Sequence, residues 1–156
     1  MLDLALMTTL MLAHTLLHNL DEHYFNKKRP HQRYELLSVI SDGVLFLIPI
    51  VIATFVNFHE QWVPLYKLVA GLSMLSIIKN EFFYDNLRRS ERMIHAALYV
   101  LHPMLLFTFY ESWRNNFFDQ YPNFWMFQLL YVGLGIKTVT YQIIYWNYIH
   151  EKKDHP

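Results

Sequence analysis

Histidines and carboxylates recur at helical spacing inside apolar segments of this chain. His14, His18, Asp21 and Glu22 follow one another at i, i+4, i+7 and i+8 near the end of the run "LDLALMTTLMLAHTLLHNLDEH". That spacing puts them on one face of a helix. Glu91, His95 and His102 stand at i, i+4 and i+11, Glu81 and Asp85 at i, i+4, and Glu35 and Asp42 at i, i+7. Imidazole and carboxylate donors together suit Zn, Fe or Mn, and histidine is also the usual proton-transfer group. Inside a membrane helix such residues are costly and face the bundle interior or a pathway. The expected metal ligands are therefore His14, His18, Glu22, Glu91, His95 and His102. Asp42 and Glu81 are further carboxylate ligands or the general base.

Plainer roles compete with these. For His14, His18, Asp42 and His102 the alternative is interhelical hydrogen bonding, roughly 1 kcal/mol per contact. Asp21, Asp85 and Glu91 also fit helix ends or ion pairs. His23, His31, Glu35, Arg88 and Arg89 read as solvated connector residues.

The elements that must position these groups are membrane helices. Of the 156 residues, 54% are hydrophobic, and they come in five blocks: Leu2–Leu20, Leu36–Phe58, Trp62 to about Tyr84, Met93–Trp113, and Phe124 to about Ile149. Each is long enough to cross a hydrocarbon core of about 30 Å as a helix. The first block lacks a basic leader and a small-residue cleavage site, so it reads as a retained span rather than a signal peptide. Lysines and arginines alternate between connectors. Lys27, Lys28, Arg29 and Arg33 follow the first block, Lys79, Arg88, Arg89 and Arg92 lie around the third connector, and Lys152 and Lys153 end the chain. The other two connectors are nearly free of them. The positive-inside rule then places the N-terminus outside and the C-terminus in the cytoplasm. The expectation is an all-α, polytopic bundle of five transmembrane helices spanning residues 1–150 as one domain, with 151–156 as a short polar cytoplasmic tail. Four spans is the alternative, because Lys137, Gly133 and Gly135 fall within the fifth block. On this topology His14, His18, Asp42, Glu81, His95 and His102 share the cytoplasmic half.

Several chemistries are excluded or lack a signal. There is no cysteine, which rules out disulfides, thiolate zinc sites and thiol catalysis. Net charge is zero, with no basic stripe for nucleic acid. No serine-nucleophile motif, phosphate loop or nucleotide fingerprint is present. Soluble di-iron bundles use Glu-x-x-His, whereas here the spacing is Glu91-x-x-x-His95. One histidine box, His14-x-x-x-His18, stands without any His-His pair.

The segment His18-Asn-Leu-Asp21-Glu22 resembles the signature of the HXXEE family of small multi-span membrane proteins of unknown function, with Asp21 in place of the first glutamate. A Tyr-x-Pro-Gly motif associated with that family is not found in this chain. The resemblance covers five residues and the overall layout. It implies a multi-span membrane protein, marks His18, Asp21 and Glu22, and carries no activity with it.

The functional expectation is an integral membrane protein of the plasma (inner) membrane with a His/carboxylate site for a divalent cation, zinc or iron. Such a site suits a metalloenzyme acting on a lipid-like substrate, by hydrolysis with zinc or oxidation with iron. The alternative is a proton- or divalent-ion-handling transporter or subunit. A bis-histidine haem protein fits less well, because carboxylates crowd the pocket; a structural membrane subunit is the remaining reading. Expected partners are membrane lipids, a lipid-like substrate, and a second copy or another membrane protein.

Overall fold

A computed structural model describes residues 3–25, 33–80 and 88–145, and among them every regular element is helical. The long helices are α1 (Leu4–Leu20), α2 (Arg33–Phe55), α3 (Val63–Asn80), α4 (Arg89–Arg114) and α6 (Trp125–Ile144); α5 (Phe117–Gln120) is a single turn. Asp3 caps α1, its Oδ1 accepting the Ala5 N–H at 3.2 Å, which satisfies one of the four donors that a helix start leaves open. At its other end α1 runs into a π-helical turn, Asp21–Phe25. Asn116, at φ 46°, reverses the chain before α5; asparagine tolerates this left-handed conformation better than most residues. A 3₁₀ turn, Pro122–Phe124, leads into α6.

Helix limits differ from the apolar blocks by a few residues. α4 begins at Arg89, before the block at Met93, because a polar first turn continues the backbone hydrogen bonding, and the described part of α2 likewise includes Arg33 ahead of Leu36. α2 stops at Phe55 rather than Phe58, and the indole N–H of Trp113 donates to the Val56 carbonyl at 2.6 Å. Trp113 is a buried residue packed between Phe58 and Tyr66. Helix α6 is continuous through Gly133 and Gly135, and Lys137 lies on its exposed side.

The helices alternate in direction. Asp21 meets His95 while His14 lies near His102, so α1 and α4 are antiparallel. Gly43 faces Val139 and Leu47 faces Gly135, which makes α2 and α6 antiparallel too. α2 lies at the centre, against α3, α4 and α6, and α1 closes the ring between α4 and α6. Gly43 and Gly135 are what let α2 and α6 approach. A Cβ on Gly43 would sit 2.9 Å from Val139 Cγ2, and one on Gly135 would sit 2.5 Å from Leu47 Cδ2. Small residues serve this purpose where membrane helices pack.

The interior has two ends. At one, Met7, Leu10, Phe46, Ile50, Tyr66, Leu105, Phe109, Trp113, Phe124 and Val132 form a continuous apolar core. At the other, the buried residues include His14, Asp21, Glu22, Ser38, Asp42, Ser73, Glu91, His95, His102, Thr138 and Gln142. The outer surface is apolar: Leu12, Leu16, Leu37, Leu75, Met93, Phe107 and Met126 are each more than 60% exposed. Among the described residues, three helical segments, Tyr34–Phe55, Glu60–Lys79 and Arg89–Arg114, are long and apolar enough to cross a membrane.

The glycine contacts give a paired test. Gly43→Val should lower the unfolding midpoint in detergent by the equivalent of about 1–3 kcal/mol, since overpacking against a stiff β-branched neighbour is not easily relieved. Gly133→Ala, with nothing within 4 Å of its added Cβ, should be neutral or stabilising by up to about 1 kcal/mol from helix propensity. Thermal unfolding followed by circular dichroism reads both.

Candidate metal centre

The π-helical turn and the first turns of α4 bring three donors together. Asp21, Glu91 and His95 each offer a ligand atom, and these atoms lie within 4.8 Å of one another. All three residues are buried, Glu91 to 2% exposure. His95 Nε2 and Asp21 Oδ1 are 3.1 Å apart, a charge-assisted contact when the imidazole is protonated. The local backbone explains the placement. A π turn winds more residues per turn than an α-helix, and such turns are frequent at functional sites. Here consecutive residues Asp21 and Glu22 are both turned inward, at 8% and 1% exposure. On α4, Glu91 and His95 are one turn apart on its buried stripe.

Beside this group lies a cavity of about 150 Å³, lined from all five long helices. His14, His18, Asp21 and Glu22 come from the first helix and its π turn, Asp42 and Phe46 from α2, Ile77 from α3, His95 and His102 from α4, and Tyr131 and Thr138 from α6. Polar partners on other helices fix most of these side chains. The Tyr131 hydroxyl is 2.9 Å from His14 Nδ1, and the Ser73 hydroxyl is 2.8 Å from His102 Nε2. Gln142 Nε2 donates to Glu22 Oε2 at 2.9 Å. Ser76 donates to Asp42 Oδ1, and Lys79 Nζ stands 3.9 Å from the same oxygen.

The residues expected from sequence divide by level. His14 to Asp21 is seven residues, as is His95 to His102, and seven residues is about 10 Å of rise along a helix. Ligands of one cation sit about 2.0–2.6 Å from it, hence within roughly 5 Å of one another. His14, His18, Glu22, Glu91, His95 and His102 therefore do not converge on one centre. Glu91 and His95 meet Asp21; His14 and His102 stand about two turns along the bundle axis, His18 lies between the two levels, and Glu22 pairs with Gln142. Asp42 is on the cavity wall, and Glu81 and Asp85 lie outside the described residues. Asp21 was assigned a helix-end or ion-pair role from sequence, although its spacing from His14 already placed it on the interior face. Tyr131, Ser73, Ser76 and Gln142 carry no sequence signal of their own, because what distinguishes them is the partner the fold supplies.

Comparison with protein-family models, curated proteins and solved structures finds no match to this chain.

The Asp21–His95 contact joins the first helix to α4 and can be probed alone. Asp21→Asn keeps the shape and removes the charge, and should destabilise the protein by about 1–3 kcal/mol, the range for a buried hydrogen-bonded charge losing its partner. Asn19→Ala, whose amide donates to Thr15 O on its own helix, should change stability much less in the same melts.

Proposed function

We propose that this protein is a five-span integral membrane metalloprotein whose Asp21–Glu91–His95 group holds a divalent cation, and that it acts as an enzyme on a lipid-like substrate. The observation that carries the reading is the approach of three buried donors from two helices to within 4.8 Å of one another. One imidazole and two carboxylates suit Zn, Fe or Mn, and three protein ligands leave coordination positions open. A cation so held supplies Lewis acidity and eases ionisation of water at neutral pH. The outward apolar surface supports membrane residence, with α1 and α6 completing the spans and the polar end of the bundle toward the cytoplasm.

The cavity limits what enters. About 150 Å³ matches the liquid volume of roughly five waters, well below the ~300–1,000 Å³ of pockets that take drug-sized ligands. A reacting carbonyl or headgroup fits, while the chain of a lipid stays between the helices and the bilayer. Val39, Leu47, Leu98, Leu134 and Val139 supply the apolar walls. Asp42, on the wall contributed by α2, is the carboxylate that accepts a proton from substrate or water. A haem between His14 and His102 would have to displace Phe46, which packs 4.9 Å from the His14 ring and 4.1 Å from that of His102.

A specific observation favours a second reading, proton or cation handling. In the apolar half, Ser112 Oγ and both amide atoms of Gln128 are buried with no hydrogen-bond partner among the described residues. Gln128 is one turn from Tyr131 on α6, and Tyr131 reaches His14. The polar file thus continues past the cavity toward the other face.

Metal content of detergent-purified protein tests the main reading. Zinc, iron or manganese should remain bound after dialysis, and His95→Ala and Glu91→Gln should each lose one equivalent. No retained metal after loading with all three would defeat it. For topology, a reporter active only in the cytoplasm should be active when fused to the C-terminus.

A further inference from the structure

The three histidines left outside the Asp21–Glu91–His95 group form a cluster of their own. His14 and His18 are one turn apart on α1 with ring centroids 5.9 Å apart, and the His102 ring on α4 lies 6.1 Å from that of His14. All three line the cavity. Histidines at i and i+4 on one helix face are a recurrent chelating pair. At metal–nitrogen distances of about 2.0–2.1 Å, the ring centres of imidazoles around a tetrahedral ion are roughly 5 Å apart. The two separations from His14 exceed that by about 1 Å.

The rings are also held as ligand rings are held. A metal-bound histidine normally gives its other ring N–H to an oxygen that fixes its orientation. Tyr131 stands on Nδ1 of His14, leaving Nε2, and Ser73 stands on Nε2 of His102, leaving Nδ1. Both hydroxyl residues are buried, Ser73 completely. His18 is half-buried and makes no hydrogen bond to any described residue. Phe46 packs against His14 and His102 and shields their shared side.

We infer that His14, His18 and His102 form a second metal site on the same cavity, an all-imidazole centre for a borderline divalent ion such as Zn²⁺ or Co²⁺. It is independent of the carboxylate-rich centre. His14 and His102 stand about 10 Å along their helices from Asp21 and His95, and His18 about 4.5 Å from Asp21, so the two groups are not the bridged pair of ions about 3.5–4 Å apart found in two-metal enzymes. Neutral nitrogen donors do not favour Mg²⁺ or Ca²⁺, which prefer oxygen. Its fourth position faces the cavity and takes an oxygen donor, either water or the carbonyl or anionic oxygen of a headgroup.

Co²⁺ alone is the probe, titrated into the full-length protein in detergent, with stoichiometry and the visible absorption of four-coordinate cobalt as readouts. Wild type should bind two equivalents. His18→Ala and His102→Ala should lose one of them together with the four-coordinate band. Asp21→Asn and Glu91→Gln should lose the other and keep the band. Tyr131→Phe, which removes no ligand, should weaken the band-forming site by about 10–100-fold. His18 is the preferred ligand variant because it is half-exposed, and circular dichroism confirms that each variant is folded. One equivalent lost only in Asp21→Asn and Glu91→Gln would overturn the imidazole site and leave the first centre standing. One equivalent lost only in the histidine variants would support this site and remove the first. Absence of binding in folded wild type overturns both.

Discussion

A buried imidazole or carboxylate on a helix must find its partner on another helix, because the backbone groups around it are already engaged within their own. That requirement organises this bundle. His14 finds Tyr131, His102 finds Ser73, Asp21 finds His95, Glu22 finds Gln142 and Asp42 finds Ser76. Each pair joins different helices or the π turn to a helix, and together they link all five long ones. A shift of one helix by a single turn would separate several pairs at once. Where apolar packing offers little preference between registers, such pairs have an outsized influence on which register forms.

The same requirement separates the two ends of the interior. Because the helices alternate in direction, the start of α1, the end of α2, the start of α3, the end of α4 and the start of α6 lie together. Each contributes apolar or aromatic residues there, and Trp113 and Tyr66 direct their polar atoms to the Val56 and Leu106 carbonyls. The opposite ends gather the histidines and carboxylates. The cavity opens where these halves meet, with Phe46 and Tyr131 at the boundary and the Asp21–Glu91–His95 group on the polar side. Close contact of α2 and α6 through Gly43 and Gly135 holds two of its walls.

Much of this was legible from the residues in order. Apolar block lengths fix the number of long helices and their approximate limits, and helical spacing fixes which polar residues share a face. His14, His18, Glu91, His95 and His102 were found that way because a helix is periodic, and periodicity is a local property. The alternation of helix direction follows from short connectors and brings those faces to one end. Block edges were less reliable: α4 begins in a polar turn whose hydrogen bonding continues the helix without any apolar signal.

Sequence alone therefore determined that this is an all-helical chain with its ionisable residues on inward stripes at one end of a bundle. It did not determine which of them meet. Spacing along one helix gives a residue's direction and height, but a contact also depends on the height of the neighbouring helix, set by packing across the whole interface. Only the tertiary structure separated one expected site into an Asp21–Glu91–His95 group and a histidine cluster that reaches about two turns further along the bundle. Only it supplied Tyr131, Ser73 and Gln142 as partners, since a tyrosine, a serine or a glutamine becomes specific through what stands opposite it.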